Sequence, residues 1–150
     1  MIVVSVCPPD DPGLLALVDA MTAELVPLYG LPPDARPAPL ARDARHLLAI
    51  DGGKAVGCCA VQPLGPGVCE LKRMYVDPAQ RGTGLAVRLL ERAERTALDL
   101  GAERMRLETG IRQPAAVRLY ERAGYRPIPA YPPHDRDPES LCFEKTLRPS

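Results

Sequence analysis

The chain has 150 residues, with 19 basic side chains balancing 19 acidic ones to a formal net charge of zero. A chain this long buries about 68–70% of its unfolded surface as one domain, so neither disulfides nor a metal is needed to hold it together. The balanced charge creates no field that would gather a polyanion, so nucleic acid and anionic membrane are not expected partners.

Ile2 to Val6 is expected as a first strand. It lacks the basic flank and cleavage site of an export signal, and no later segment approaches the apolar run that a membrane span needs, so a cytoplasmic location is expected. Asp11 then supplies a helix N-cap and Pro12 a first helical residue. Leu14, Leu15, Val18, Met21 and Leu25 recur at steps of three and four, which puts them on one helix face, and Pro27 is expected to end it. The segment from Leu28 to Leu40 is too rich in proline for regular structure and reads as a long surface loop of the kind that shapes binding sites.

His46 to Ile50 and Lys54 to Gln62 are short apolar runs around Asp51-Gly52-Gly53, a hairpin signal. Pro63 to Gly67 makes the next turn. Val68 to Val76 changes phase partway: Cys69 and Leu71 are apolar at odd positions, Met74 and Val76 at even ones, so a bulge is expected near Lys72 or Arg73. Leu85, Ala86, Leu89, Leu90, Ala93, Ala97 and Leu100 form the apolar stripe of a helix that Gly101 stops, with a Glu91–Arg95 pair expected on its solvated face. Arg104 to Glu108 alternates as a strand, Pro114 opens a helix that Gly124 closes, Pro127 to Pro138 is a second proline-rich loop, and Leu141 to Leu147 is the last strand. No repeat or domain boundary interrupts residues 1–150.

The five cysteines are an odd count without a Cys-x-x-Cys pair and read as small buried hydrophobes. His46 and His134 stand apart in sequence without a ligand set that zinc requires, so no metal is expected.

The chemistry concentrates between Met74 and Ala86. Gly82 and Gly84 let the chain turn sharply and let an anion approach the backbone, and the positive end of the following helix favours negative charge there. A dinucleotide fingerprint would need a third glycine where Val87 stands, and no Gly-Lys-Ser/Thr of a P-loop is present. The run Gln80-Arg81-Gly82-Thr83-Gly84-Leu85-Ala86, after Tyr75-Val76-Asp77-Pro78, resembles the acyl-CoA-binding segment of the GNAT superfamily of N-acetyltransferases, whose pattern is Gln/Arg-x-x-Gly-x-Gly/Ala. Ala116-x-x-Leu119-Tyr120-x-x-x-Gly124-Tyr125 is similar to that family's Asn-x-x-Ala-x-x-Leu-Tyr-x-x-x-Gly-Phe, with Gln113 in place of the asparagine and Tyr125 in place of the phenylalanine. The resemblance runs from about Leu64 to Leu147.

That resemblance implies an α/β fold: a mixed, mostly antiparallel sheet with helices on both faces and a central parallel pair, 68–76 and 104–108, that splays apart. It implies acetyl-CoA as the acyl donor. Its pantetheine arm would pair with the backbone of Met74, Tyr75 and Val76, and its pyrophosphate would meet the amides of Arg81, Gly82, Thr83, Gly84, Leu85 and Ala86. Gln113 and Arg122 complete the cofactor set. Tyr120 would donate a proton to the departing thiolate, a task suited to a phenol of pKa about 10. Glu70 stands where many members carry a glutamate base. Glu108 is the second candidate, and both carboxylates are expected to line the cleft, one of them with a raised pKa.

The implied activity is acetyl transfer to a primary amine of a small molecule or amino acid by direct attack in a ternary complex. The alternatives are a protein or peptide N-acetyltransferase and a non-catalytic acyl-CoA-binding module. Arg36, Arg73, Arg112 and Tyr131 are candidates for gripping a carboxylate on the acceptor, and a homodimer is left open.

Overall fold

The computed structural model describes residues 1–148. In chain order they form β1 (Ile2–Cys7), α1 (Pro12–Tyr29), β2 (Arg45–Asp51), β3 (Lys54–Gly65), β4 (Val68–Val76), α2 (Leu85–Asp99), β5 (Arg104–Gly110), α3 (Pro114–Arg122), β6 (Arg126–Ile128) and β7 (Ser140–Thr146), with short 3-10 turns at Pro78–Gln80 and His134–Arg136. The strands make one sheet in the order β1-β2-β3-β4-β5-β7-β6. Among the described residues only β4 and β5 run parallel. This is the mixed, mostly antiparallel α/β sheet that the resemblance implies.

The β2–β3 hairpin turns on Gly52 and Gly53, whose φ values of 57° and 86° give the turn twist that matches the strands. The expected bulge in β4 is present. Cys58 pairs with Tyr75 but Ala60 with Lys72, so β4 carries one extra residue there. Arg73 takes φ 57° at that point. Pairing of β4 with β5 runs from Val68↔Arg104 to Leu71↔Leu107 and stops. Past Leu71 the edge of β4 that faces β5 is no longer matched to a strand, and the site opens in that gap.

The larger core cluster joins α2 to the sheet through Leu47, Cys59, Leu71, Leu85, Leu89, Ala93 and Met105, and it extends to Tyr120 and Phe143. A second cluster joins α1 to the sheet through Leu14, Leu17, Val18, Leu48, Cys58 and Tyr75. Adjacent residues Cys58 and Cys59 thus enter different clusters, as the alternation of a strand requires. Gly57 lets α2 come close, because a β-carbon there would meet Leu89 at 3.0 Å and Leu85 at 3.2 Å.

Several sequence expectations need correction. Pro27 does not end α1, which continues to Tyr29 and is capped by Gly30 in the left-handed conformation. A proline in the last turn costs little more than one hydrogen bond, so the next turn survives. Leu28 and Tyr29 are therefore helical, not loop. Leu15 is exposed, and Leu17 takes its place in the core. α1 is also long and apolar enough by length and composition to cross a membrane, contrary to the expectation that no segment approaches that, although here it packs on the sheet. β3 extends through Pro63 and Leu64 to Gly65, beyond the expected Gln62.

The second proline-rich loop contains β6, which pairs with β7 from Arg126↔Glu144 to Ile128↔Cys142. On α2 the Glu91–Arg95 pair is not formed among the described residues. Glu94 instead holds Lys145 at 2.9 Å and the Tyr125 hydroxyl at 2.9 Å, while Arg88 and Arg92 reach the carbonyls of Ile2 and Val4.

Candidate active site

Where β4 and β5 separate, a cavity of about 440 Å³ opens between α1, the bulged half of β4, the end of β5 and α3. Glu24 lines it from α1, Lys72, Arg73 and Met74 from β4, Glu108 and Thr109 from β5, and Gln113 and Tyr120 at the start and end of α3. Four features of the sequence converge here: the phase change of β4, the Met74–Val76 run, the end of β5 and the Leu119-Tyr120 pair.

At the mouth, Asp77 caps the turn Pro78–Gln80 and the chain then passes through Gly82 (φ 80°) and Gly84 (φ 85°). Gly84 is the N-cap of α2, and the first helical hydrogen bond of the ladder there is Arg88 N–H to Gly84. The amides of Leu85, Ala86 and Val87 in that first turn therefore lie N-terminal to the ladder, with the donor ends that suit an anion. A β-carbon on Gly82 or Gly84 would meet nothing within 4 Å, so space there is open toward solvent. Thr83 turns its hydroxyl back to the Gln80 carbonyl at 2.6 Å.

Arg81 is engaged within the protein by both its amide and its side chain. Its N–H bonds the Pro78 carbonyl at 3.3 Å, and its guanidinium holds Glu24 at 2.9 and 3.0 Å and the Val76 carbonyl at 3.3 Å. It also lies 5.7 Å over the ring of Tyr75, whose hydroxyl donates to Glu24. Burial and the Glu24 carboxylate together push the Tyr75 phenol up to about 12. Glu24 is itself shifted down: burial opposes the shift, but the bonds from Tyr75 and Arg81 outweigh it. Arg122 is exposed at the end of α3 and is not part of the cavity wall.

Tyr120 is 5% exposed and lines the cavity, with no hydrogen bond to its hydroxyl among the described residues. Burial, then the neighbouring Cys59 and Glu108, raises its pKa far above that of a free phenol, so it keeps its proton at any physiological pH. Glu108 faces the cavity and accepts a 2.6 Å hydrogen bond from the Ser140 hydroxyl. Gln113 lines the cavity too, and its side-chain amide donates to the Tyr29 hydroxyl at 3.3 Å.

Glu70 does not line the cleft, which corrects the expectation that both carboxylates would. It is 4% exposed, on the sheet face that Tyr131 and His134 of the second proline-rich loop cover. Tyr131 donates to Oε2 at 2.8 Å, His134 Nε2 lies 3.0 Å from the same oxygen, Gln62 donates to Oε1 at 3.2 Å, and the Lys72 ammonium stands 3.9 Å away. Burial alone would raise this carboxyl, but the Lys72 charge and these bonds reverse the effect and hold it below the ordinary glutamate value. Sequence reasoning missed His134 and Gln62 as its partners. The signal was faint: a histidine and a tyrosine inside a proline-rich loop.

Of the carboxylate-gripping candidates, only Arg73 reaches the cavity. Arg36 donates to the carbonyls of Asp34 and Ala35 in a separate depression, Arg112 pairs with Glu139 at 2.8 Å, and Tyr131 is engaged by Glu70.

The sequence matches the model of the acetyltransferase (GNAT) family over residues 16–125. The chain belongs to that family. As a GNAT acetyltransferase it is an acyltransferase enzyme, and the fold it shares is one that uses acetyl-CoA. It is 40% identical over 106 residues to an IAA acetyltransferase of Azospirillum brasilense, covering 70% of this chain and 69% of that one. Against N-acetyltransferases of Schizosaccharomyces pombe and Escherichia coli it spans about half of their length, 49% and 47%. A solved structure from Klebsiella pneumoniae, described as a candidate acyl-CoA N-acyltransferase, superposes with a TM-score of 0.83 at 36% identity and 99% coverage of both chains. A GNAT family acetyltransferase of Elizabethkingia anophelis, solved with acetyl-CoA bound, has the same fold at 17% identity, with a TM-score of 0.73 over 97% of this chain and 98% of that one.

Proposed function

We propose that the protein moves the acetyl group of acetyl-CoA to a primary amine of a small molecule or amino acid by direct attack within a ternary complex. The observation that carries this is the shared cavity. Tyr120, a proton donor, and Glu108, a proton acceptor, both border the gap where the free edge of β4 begins. Acetyl-CoA supplies the activated acyl group. The edge of β4 at Met74, Tyr75 and Val76 offers backbone groups to its arm, and the loop from Gly82 to Ala86 offers amides to its pyrophosphate.

Glu108 takes a proton from the attacking ammonium, since an amine of pKa near 10.4 arrives almost wholly protonated at neutral pH. As the C–N bond forms and the C–S bond breaks, Tyr120 gives its proton to the sulfur. The nitrogen sheds its second proton as the amide forms, and that proton returns to Tyr120 through water, while the proton on Glu108 passes to solvent; of the two protons the ammonium loses, one ends on the thiol and one in bulk water. Glu70 acts at one remove: it holds Lys72, which borders the cavity, and anchors the loop that carries Tyr131 and His134. A relay through a cysteine is disfavoured. Among the described residues no cysteine borders the cavity, and burial pushes the Cys58 thiol up to about 12 and raises those of Cys59 and Cys69, which disfavours their thiolates.

The test is CoA release from acetyl-CoA with a panel of amines, amino acids and peptides, on wild type and Glu108→Gln. Turnover of small amines that falls in the variant at neutral pH and recovers at high pH supports the reading. Acetylation of peptides alone would refute the small-molecule assignment. A variant that keeps the full pH profile would remove Glu108 from the mechanism.

A further inference from the structure

The cavity wall carries three cations, Lys72, Arg73 and Arg81, and two of them already have a carboxylate nearby. Arg81 pairs with Glu24 at 2.9 Å and Lys72 lies 3.9 Å from Glu70. Arg73 has no carboxylate within 4.0 Å among the described residues. Its guanidinium makes a 2.7 Å hydrogen bond from Nη2 to the carbonyl of Ala38, in the first proline-rich loop. Burial pushes its pKa down, the mark of a cation half removed from water without a counter-charge. The same charge reaches His46, whose pKa falls through burial and then through Arg73.

The backbone at this residue is also costly. Arg73 is the one non-glycine residue with positive φ among those described, a conformation that a β-carbon resists and glycine would adopt freely. The bulge needs that conformation; it does not need an arginine. A strained backbone and a half-buried charge thus coincide at one residue, and its planar five-donor fork stands beside the cavity with only Ala38 engaging it among the described residues. A bidentate anion is what such a fork matches, and carboxylate is the match on a small amine.

We infer that the acceptor is an amino carboxylic acid, held by its carboxylate on Arg73 with its amine turned toward Glu108 and Tyr120. Met21, Leu25 and Pro37 border the same cavity and supply an apolar wall for the body of that acceptor. The inference rests on the proposed function and names the substrate class for that site.

Pairs of acceptors that differ only at the carboxyl test it: leucine against leucinamide, and methionine against methioninamide, each measured by CoA release on wild type, Arg73→Gln and Arg73→Lys. Comparing the ratio within each pair across the variants cancels the different basicity of the amines. Arg73→Gln is expected to lower kcat/KM for the acids about ten- to hundredfold more than for the amides, through KM, as loss of a charge-assisted pair does. Arg73→Lys should fall between, keeping the charge without the fork. A retained thermal shift with acetyl-CoA checks that each variant still folds around its cofactor.

An unchanged acid-to-amide ratio in Arg73→Gln overturns the inference while leaving the acetyltransferase reading intact. If wild type acetylates none of the small amines, the proposed function fails and the inference fails with it.

Discussion

The hydroxyl of Tyr29 occupies the space that a side chain on Gly110 would need, well inside contact distance of the position a β-carbon there would take. That hydroxyl accepts hydrogen bonds from the backbone N–H of Arg112 at 3.2 Å and the side-chain amide of Gln113 at 3.3 Å. The end of α1 is thereby fastened to the turn that starts α3. Gly110→Ala is expected to expel the tyrosine and destabilise the fold by about 1–3 kcal/mol, the range for overpacking a filled site. Urea unfolding of the variant measures it, and a loss under a few tenths of that would mean Tyr29 moves aside freely.

Gly84 presents the opposite case, because a β-carbon there meets nothing but the backbone is at φ 85°. Gly84→Ala should cost about 1–2 kcal/mol from conformation alone. The larger effect falls on acetyl-CoA, which at a hundred times its dissociation constant should stabilise the wild type by about 2.7 kcal/mol. Thermal melting of Gly84→Val with and without acetyl-CoA should show that stabilisation gone. A full shift in the variant would move the pyrophosphate site elsewhere.

Tyr120→Phe removes a hydroxyl that is not spent on the protein and leaves the ring in its T-shaped contact with Tyr125, at 5.9 Å between centroids. Stability and acetyl-CoA affinity should hold, while turnover falls about a hundredfold to ten-thousandfold, as for a lost general acid. Steady-state CoA release beside a melting curve separates the two. Wild-type turnover in a folded variant would reduce Tyr120 to a packing residue.

Glu70 makes stability depend on acid. Its folded pKa lies below the unfolded value, so the native state favours the ionised form. The stability this contributes is complete above the unfolded pKa and is lost as pH falls through the folded one. Glu70→Gln should therefore be less stable than wild type at pH 7, and the gap should close at low pH as the wild-type carboxylate takes up its proton. Denaturation at a series of pH values follows the difference. A gap that persists unchanged to the lowest pH would mean that shape, not charge, is what Glu70 contributes.

Much of the framework around the candidate site was legible because its signals are local. The shift of apolar residues from Cys69 and Leu71 to Met74 and Val76 announces the β4 bulge within one strand, and Asp51-Gly52-Gly53 dictates its hairpin through backbone freedom. What escaped depends on partners distant in the chain. β6 holds only Arg126, Pro127 and Ile128, too short and proline-broken to read as a strand until β7 pairs with it. The burial of Glu70 comes from Tyr131 and His134, and nothing near Glu70 signals that a loop some sixty residues later will fold over it. Glu94 likewise reads as solvated until β7 brings Lys145 alongside.

Gln62 sits between the two proline-rich loops, bonded to Ala41 just past the end of the first and to Glu70, which carries the second. Its carbonyl oxygen takes the N–H of Ala41 at 3.0 Å, and its NH₂ donates to Glu70 at 3.2 Å, the carboxylate that holds Tyr131 and His134. An amide has one accepting and one donating end, so turning it over would set donor against donor and oxygen against oxygen. Gln62 is therefore keyed in one orientation, and the wall beside Ala38 and the cover over Glu70 are set by the same side chain. Glutamate in its place would face Ala41 as well as glutamine does but set two carboxylates against each other, so the two loops cannot be redesigned as independent parts.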